Sequence, residues 1–295
     1  RRTRPPGPGP VLMALGETGA AGDRGLAQRP LLLRHRPARD ATRLRALFLH
    51  GLASSGAVWD GLAPHLPPDL ETWTADLPWR ADHVQPWSRR PERTDWIVTA
   101  LERLPDPPDV VVAHSFSANQ LLDLLSREAE AGNDPYERYG IRGVVLVSPF
   151  YRRSPDDFAW DSVSGMQRDF LHIMEEGLRT HSARRITPEV RRHMAERVCE
   201  RVGPYGWVRF FEHYLRTPWL RTELITVPGL VVTGQDDFAA AESALLAADL
   251  PGAGLHTVPG CGHYPMSEHA ESFSALVGAF LGRLPDRAAP HLTEK

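Results

Sequence analysis

Residues 110–122 read Val110-Val111-Val112-Ala113-His114-Ser115-Phe116-Ser117-Ala118-Asn119-Gln120-Leu121-Leu122, and this stretch narrows the possible folds more than any other. A run of β-branched apolar residues forms a buried strand. Small-x-Ser-x-small follows, then a helical pattern. That succession is the sequence form of a nucleophile elbow, a tight strand-to-helix turn with an exposed serine Oγ. The flanking residues must be small because the turn is crowded and strained. A serine presented this way points to acyl chemistry. The rest of the chain must then supply a base, an acid and an oxyanion hole.

Around the elbow, short apolar runs alternate with helical patterns. Strands are expected at 31–33, 44–50, 71–77, 141–149, 229–233 and 255–258. Helices are expected at 58–66, 95–104, 117–126, 239–248 and 266–284; the last carries Phe273, Leu276, Val277, Phe280 and Leu281 on one face. Such alternation argues for a parallel sheet with helices on both faces. Between about 150 and 222 strands vanish, and helical segments near 163–180, 187–202 and 204–216 take over. A helical block inserted there sits over the carboxyl ends of the strands, where open α/β sheets bind ligands.

Length and composition exclude several classes. The 295 residues suit one large domain with an insertion, and the net charge of −3 gives no electrostatic case for nucleic acid or an anionic membrane. No apolar stretch reaches the length of a membrane span. Cys199 and Cys261 form neither a disulfide framework nor a metal motif, and read as free thiols of a reducing, cytoplasmic compartment. Residues 1–27, rich in Pro, Gly and Arg, read as a disordered leader, and 287–295 as a tail. The core is expected at 28–149 and 223–286, with the helical cap at 150–222.

A serine hydroxyl is a weak nucleophile near neutral pH and needs a base oriented by a carboxylate. His263 follows the last strand within Pro259-Gly260-Cys261-Gly262-His263-Tyr264-Pro265, whose glycines let the loop curl over a site. Asp236 and Asp237 both stand at the end of the strand 229–233. Neighbouring residues there point in opposite directions, so one serves the histidine and the other is free to cap the next helix. The oxyanion hole requires two backbone N–H groups. One belongs to Phe116, at the start of the elbow helix; the other comes from the loop after His50-Gly51, from Leu52 or, in reserve, Ala53.

With these residues in order, the chain resembles the α/β-hydrolase superfamily, in its capped lipase- or esterase-like branch. The likeness rests on His50-Gly51, Asp76-Leu77-Pro78, His114-Ser115-Phe116-Ser117, Gly234-Gln235-Asp236-Asp237 and Gly262-His263, and covers about 30–285. It implies a mostly parallel sheet flanked by helices, with a helical cap after the sixth strand. It also implies a Ser115–His263–Asp237 triad, favouring Asp237 over Asp236. Two departures stand out. Ala113, Ser117 and Ala118 replace the elbow glycines usual in the family, and Trp79-Arg80 replaces the glycine-rich turn after Asp-Leu-Pro.

The cap is aromatic, and His50, Tyr151, Trp160, Phe170, Phe211 and Tyr214 are the substrate-binding candidates. They suit an apolar or ring-bearing small molecule. The scattered His172, His181, His193 and His213 lack ligand spacing, so no metal or other cofactor is expected. The expected activity is hydrolysis of a carboxylic ester or thioester by a monomer or homodimer. The same triad also serves acyl transfer, lactonisation, elimination and carbon–carbon bond hydrolysis, as in tailoring enzymes of secondary metabolism. A ligand receptor that has lost turnover is the remaining alternative.

Overall fold

A computed structural model describes residues 31–89, 94–159, 165, 170–172, 175 and 187–284. The expected leader, the tail, Trp160, His181 and most of the helix 163–180 lie outside these residues. Seven strands form one sheet: β1 (Leu32–Arg36), β2 (Leu44–Leu49), β3 (Leu70–Asp76), β4 (Val110–His114), β5 (Gly143–Val147), β6 (Gly229–Gly234) and β7 (Ala253–Val258). Their order is β1-β3-β2-β4-β5-β6-β7. β1 runs antiparallel to β3, and all other pairs are parallel. Every residue of β4, β5 and β6 is buried, which is why they read as unbroken apolar runs. The edge strands β1 and β7 are largely open to solvent and carry Arg, His and Thr.

The longer helices are α1 (Asp95–Glu102), α2 (Phe116–Glu130), α3 (Pro188–Arg216), α4 (Ala240–Asp249) and α5 (Ala270–Leu281). Two expectations change in detail. The segment expected as a helix over 58–66 is a 3₁₀ helix, Gly56–Leu62. The single helix expected over 266–284 is broken at His269, whose φ of −136° is not helical, so a short turn Pro265–Glu268 precedes α5. Among the described residues no helix is long and apolar enough to cross a membrane.

The helical insert lies between β5 and β6; counting β2 as the third strand of the family's scheme makes β5 the sixth. Its helix α3 is two helices joined at Gly203, with φ 65°, and Pro204 starts the second. This is the division expected between 187–202 and 204–216. Gly203 is required twice over. Its conformation is left-handed, and a Cβ there would lie 2.9 Å from that of Ala81.

The chain passes from β2 outward to β3 and returns on the other side of β2 as β4. That reversal opens a crevice at the carboxyl ends of β2 and β4. The register sets these ends level: Leu49 pairs with Ala113, and His114 pairs with Val147. Gly51, Ser115 and Ser148 therefore leave the sheet side by side.

Candidate active site

Ser115 sits directly after β4 with φ 53° and ψ −117°, a strained left-handed conformation for a residue with a Cβ. Its N–H donates to Val147 O at 2.7 Å, and its carbonyl accepts the first helical bond from Asn119 N–H at 3.1 Å. The turn is thus held at both ends. A Cβ on Gly51 would lie 3.2 Å from that of Ser115 and 2.8 Å from His114 Nδ1, so the two loops pass only because Gly51 has none.

His263 Nε2 lies 3.1 Å from Ser115 Oγ, and its Nδ1 lies 2.9 Å from Asp237 Oδ1. A carboxylate only accepts, so Nδ1 carries the proton and the Nε2 lone pair faces the serine hydroxyl. Asp237 is also held by donors from Ala239 N–H at 3.0 Å and Thr233 Oγ1 at 3.1 Å. Burial disfavours its charge, but the adjacent His263 and the Ala239 N–H outweigh this and hold its pKa at about 2. Asp236, one residue earlier, is exposed, and its N–H bonds Cys261 O at 2.9 Å.

The His263 loop is clamped from below. Its carbonyl accepts from His114 Nε2 at 3.0 Å and from Ser148 Oγ at 3.4 Å. Burial, followed by the nearby His263 ring, drives the His114 pKa well below the ordinary histidine value, so that ring is neutral. Ser148 is itself left-handed, with φ 51°. Gly234 lets the loop close: a Cβ there would lie 2.1 Å from the carbonyl oxygens of both Cys261 and Gly262. Those contacts are with backbone and cannot be relieved by a rotamer change. Gly234→Ala is therefore expected to destabilise the fold by about 3 kcal/mol or more, read as a lowered midpoint in urea unfolding.

The N–H groups of Leu52 and Phe116 have no acceptor among the described residues, whereas Ala53 N–H is engaged by Trp79 O at 2.9 Å. Ala53 therefore drops out as the reserve donor. Phe116 opens α2, whose N-terminus favours negative charge. His50 was expected at the substrate, but it is fully buried with both ring nitrogens on backbone groups. Nδ1 bonds Gly51 O, and Nε2 accepts Leu77 N–H, both at 2.8 Å. It fixes the loop that carries Leu52.

The two departures from the family pattern meet here. Ser117 Oγ donates to His50 O and accepts from Trp79 Nε1 at 3.0 Å. Trp79 is fully buried and packs edge-on against Phe116 at 5.2 Å. A glycine at 117 would leave the indole N–H buried without an acceptor. We expect Ser117→Gly to cost about 1–3 kcal/mol in chemical denaturation, and to cost less in a Trp79→Phe background.

Among the remaining substrate candidates, Tyr151 and Tyr214 are differently employed. Tyr151 donates from its hydroxyl to Asp249 at 2.9 Å and from its N–H to Glu242 at 2.9 Å. Tyr214 donates to Glu242 at 2.7 Å and accepts from Arg152 Nε at 2.9 Å. Both anchor the base of the insert to α4, because the buried Glu242 carboxylate needs donors. Phe170 and Phe211 pack on Trp207 at 4.7 and 6.1 Å. The rings at the triad are others. Phe150 and Phe238 stand 5.9 and 5.3 Å from the His263 ring, and His213 meets Phe116 edge-on at 5.3 Å. The position of Phe238, directly after Asp237, was the available sequence signal. Phe150 and His213 are placed by long-range packing that no local pattern encodes.

A family model described as the alpha/beta hydrolase family matches residues 46–276. Over 60 residues the chain is 43% identical to a 2-hydroxy-6-oxononadienedioate/2-hydroxy-6-oxononatrienedioate hydrolase of Cupriavidus pinatubonensis. That match spans 20% of this chain and only 21% of the relative's length. Among solved structures, Est816, described as an N-acyl homoserine lactone degrading enzyme, superposes with a TM-score of 0.58 at 17% identity, covering 85% of this chain and 96% of that one. MenH from S. aureus gives 0.56 at 13% identity, with coverages of 85% and 97%. At these identities the structural likeness is one of fold. With the family model spanning most of the sheet and the insert, this chain belongs to the alpha/beta hydrolase family.

Proposed function

We propose that the protein is a serine hydrolase that cleaves a carboxylic ester or thioester of an apolar small molecule through an acyl-enzyme. The observation that carries this reading is the unbroken relay from Ser115 Oγ through His263 to Asp237, at 3.1 and 2.9 Å. Ser115 attacks the carbonyl while His263 Nε2 takes its proton. Asp237 keeps His263 in the required tautomer and stabilises the imidazolium. The N–H groups of Leu52 and Phe116 hold the oxyanion. His263 then returns the proton to the leaving group. It next activates a water that releases the acid.

Apolarity of the substrate is supported by the rings of Phe150 and Phe238 beside His263. The insert would act as the cap. Its kinked segment reaches the oxyanion loop, since a Cβ on Gly206 would lie 3.6 Å from Leu52 Cδ1. A substrate carboxylate placed against the Phe150 and Phe238 rings would lose its hydration. We expect neutral p-nitrophenyl butyrate to exceed the anionic p-nitrophenyl hemisuccinate at least tenfold in kcat/KM. Equal rates would remove the basis for the apolar assignment.

The short match to a dienedioate hydrolase favours a second reading, hydrolysis of a carbon–carbon bond by the same residues. A 2-hydroxy-6-oxo-dienedioate carries two carboxylates, which the rings of Phe150 and Phe238 beside His263 would strip of hydration. Assaying that substrate beside p-nitrophenyl butyrate separates the readings: a higher kcat/KM for the dienedioate would displace the ester assignment.

A further inference from the structure

We infer that the chain carries a second ligand site, at the β1 edge of the sheet, that takes a small monocarboxylate with an apolar body. The site shares no residue with the triad. β1 lies three strand spacings from β4, about 14 Å across the sheet.

The site follows from strand alternation. Arg34 and Arg36 lie two apart on β1 and therefore share one face. Their cross-strand partners on β3 are Thr74 and Thr72, and Thr74 is paired in turn with Phe48 on β2. These five side chains floor a cavity of about 330 Å³. The 3₁₀ helix Gly56–Leu62 roofs it with Trp59 and Leu62. His35 stands at its rim but belongs to the other face, where its ring stacks on Trp73 at 4.4 Å and bonds Glu71.

The cavity is rich in donors and poor in acceptors. The Trp59 indole lines it, is 4% exposed, and its Nε1–H has no acceptor among the described residues. Buried indole N–H groups ordinarily find a partner. Arg36 gives one N–H to Ala63 O and has no carboxylate partner among the described residues. The one carboxylate at the cavity, Asp60, is already paired with Arg34 at 2.9 Å. One guanidinium and one indole donor are thus left uncompensated beside apolar walls from Phe48, Leu62 and Leu66. An inorganic anion would answer the charge but not the walls. An aromatic or branched monocarboxylate answers both, with its carboxylate on Arg36 and Trp59 and its body under the roof.

The test is calorimetric titration of the full chain with sodium benzoate, with sodium phosphate as the comparison. Wild type, Ser115→Ala, Trp59→Phe and Arg36→Gln are titrated in parallel, and thermal unfolding confirms that each is folded. Saturable benzoate binding that persists in Ser115→Ala, and weakens about tenfold or more in Trp59→Phe and in Arg36→Gln, supports the site. In those two variants the KM for p-nitrophenyl butyrate should stay unchanged. No saturable binding in wild type, affinity that neither substitution alters, or phosphate binding as tight as benzoate would each overturn it. Failure of the Ser115 assignment would leave these titrations unaffected, so the two proposals are tested apart.

Discussion

Replacing Ser115 with Ala is expected to lower kcat/KM for p-nitrophenyl butyrate by on the order of 10⁴- to 10⁶-fold while leaving the fold intact. The size follows from the way the three groups act as a unit. Without Oγ, His263 Nε2 has no hydroxyl at 3.1 Å to deprotonate, and the acyl-enzyme cannot form. Only water positioned by the oxyanion N–H groups and by binding remains. The backbone should be little disturbed, because the turn is held by Ser115 N–H on Val147 O and by Asn119 N–H on Ser115 O, which the substitution preserves. Steady-state kinetics with matched thermal unfolding curves provide the check. A variant that stays folded and retains more than a tenth of wild-type turnover would remove Ser115 from the mechanism.

Asp237→Asn carries the second large effect, about 10⁴-fold in kcat, because an amide can face His263 Nδ1 with its NH₂ group and favour the wrong tautomer. The same change at Asp236 should alter kcat less than about twofold, since that side chain is exposed. The pair of variants decides which neighbour is the triad acid. The ionisation of Asp237 also bears on stability. Its folded pKa of about 2 lies below the unfolded carboxylate value near 4. The sign is therefore that of a depressed acid. Its contribution, of order 2 kcal/mol, is complete above about pH 4 and fades as pH falls towards 2. Urea midpoints measured between about pH 2 and 5 should drop less steeply in Asp237→Asn than in wild type.

Much of this arrangement can be read locally. Val110–Ser117 carries its own turn chemistry, Gly51 and Gly234 mark close backbone approaches, and Gly203-Pro204 marks the break in α3. Each is a backbone constraint that a single residue type satisfies, so each leaves a trace in a short window. The parallel core strands are legible for a similar reason, because burial on both faces makes them continuously apolar.

What was misread involves side chains that meet across long separations. The tyrosines of the insert look like pocket residues by composition. Tyr151 and Tyr214 are instead recruited by Glu242, which neighbours neither of them in the chain. Trp79 and Ser117 each look like a departure from the family pattern when taken alone. Together they complete one hydrogen-bond chain to His50 O. His50 has the residue type of a substrate contact, but its nitrogens are committed to backbone groups that only the folded crevice brings near. The break at His269 had no proline or glycine to announce it.

The central claim is that Ser115 is a nucleophile activated by His263. Intact mass spectrometry after incubation with a fluorophosphonate tests it most directly, with peptide mapping of the adduct. The account predicts one adduct per wild-type chain, on the peptide containing Ser115, and none in Ser115→Ala. An unlabelled wild-type protein, or an adduct of equal yield in Ser115→Ala, would contradict it.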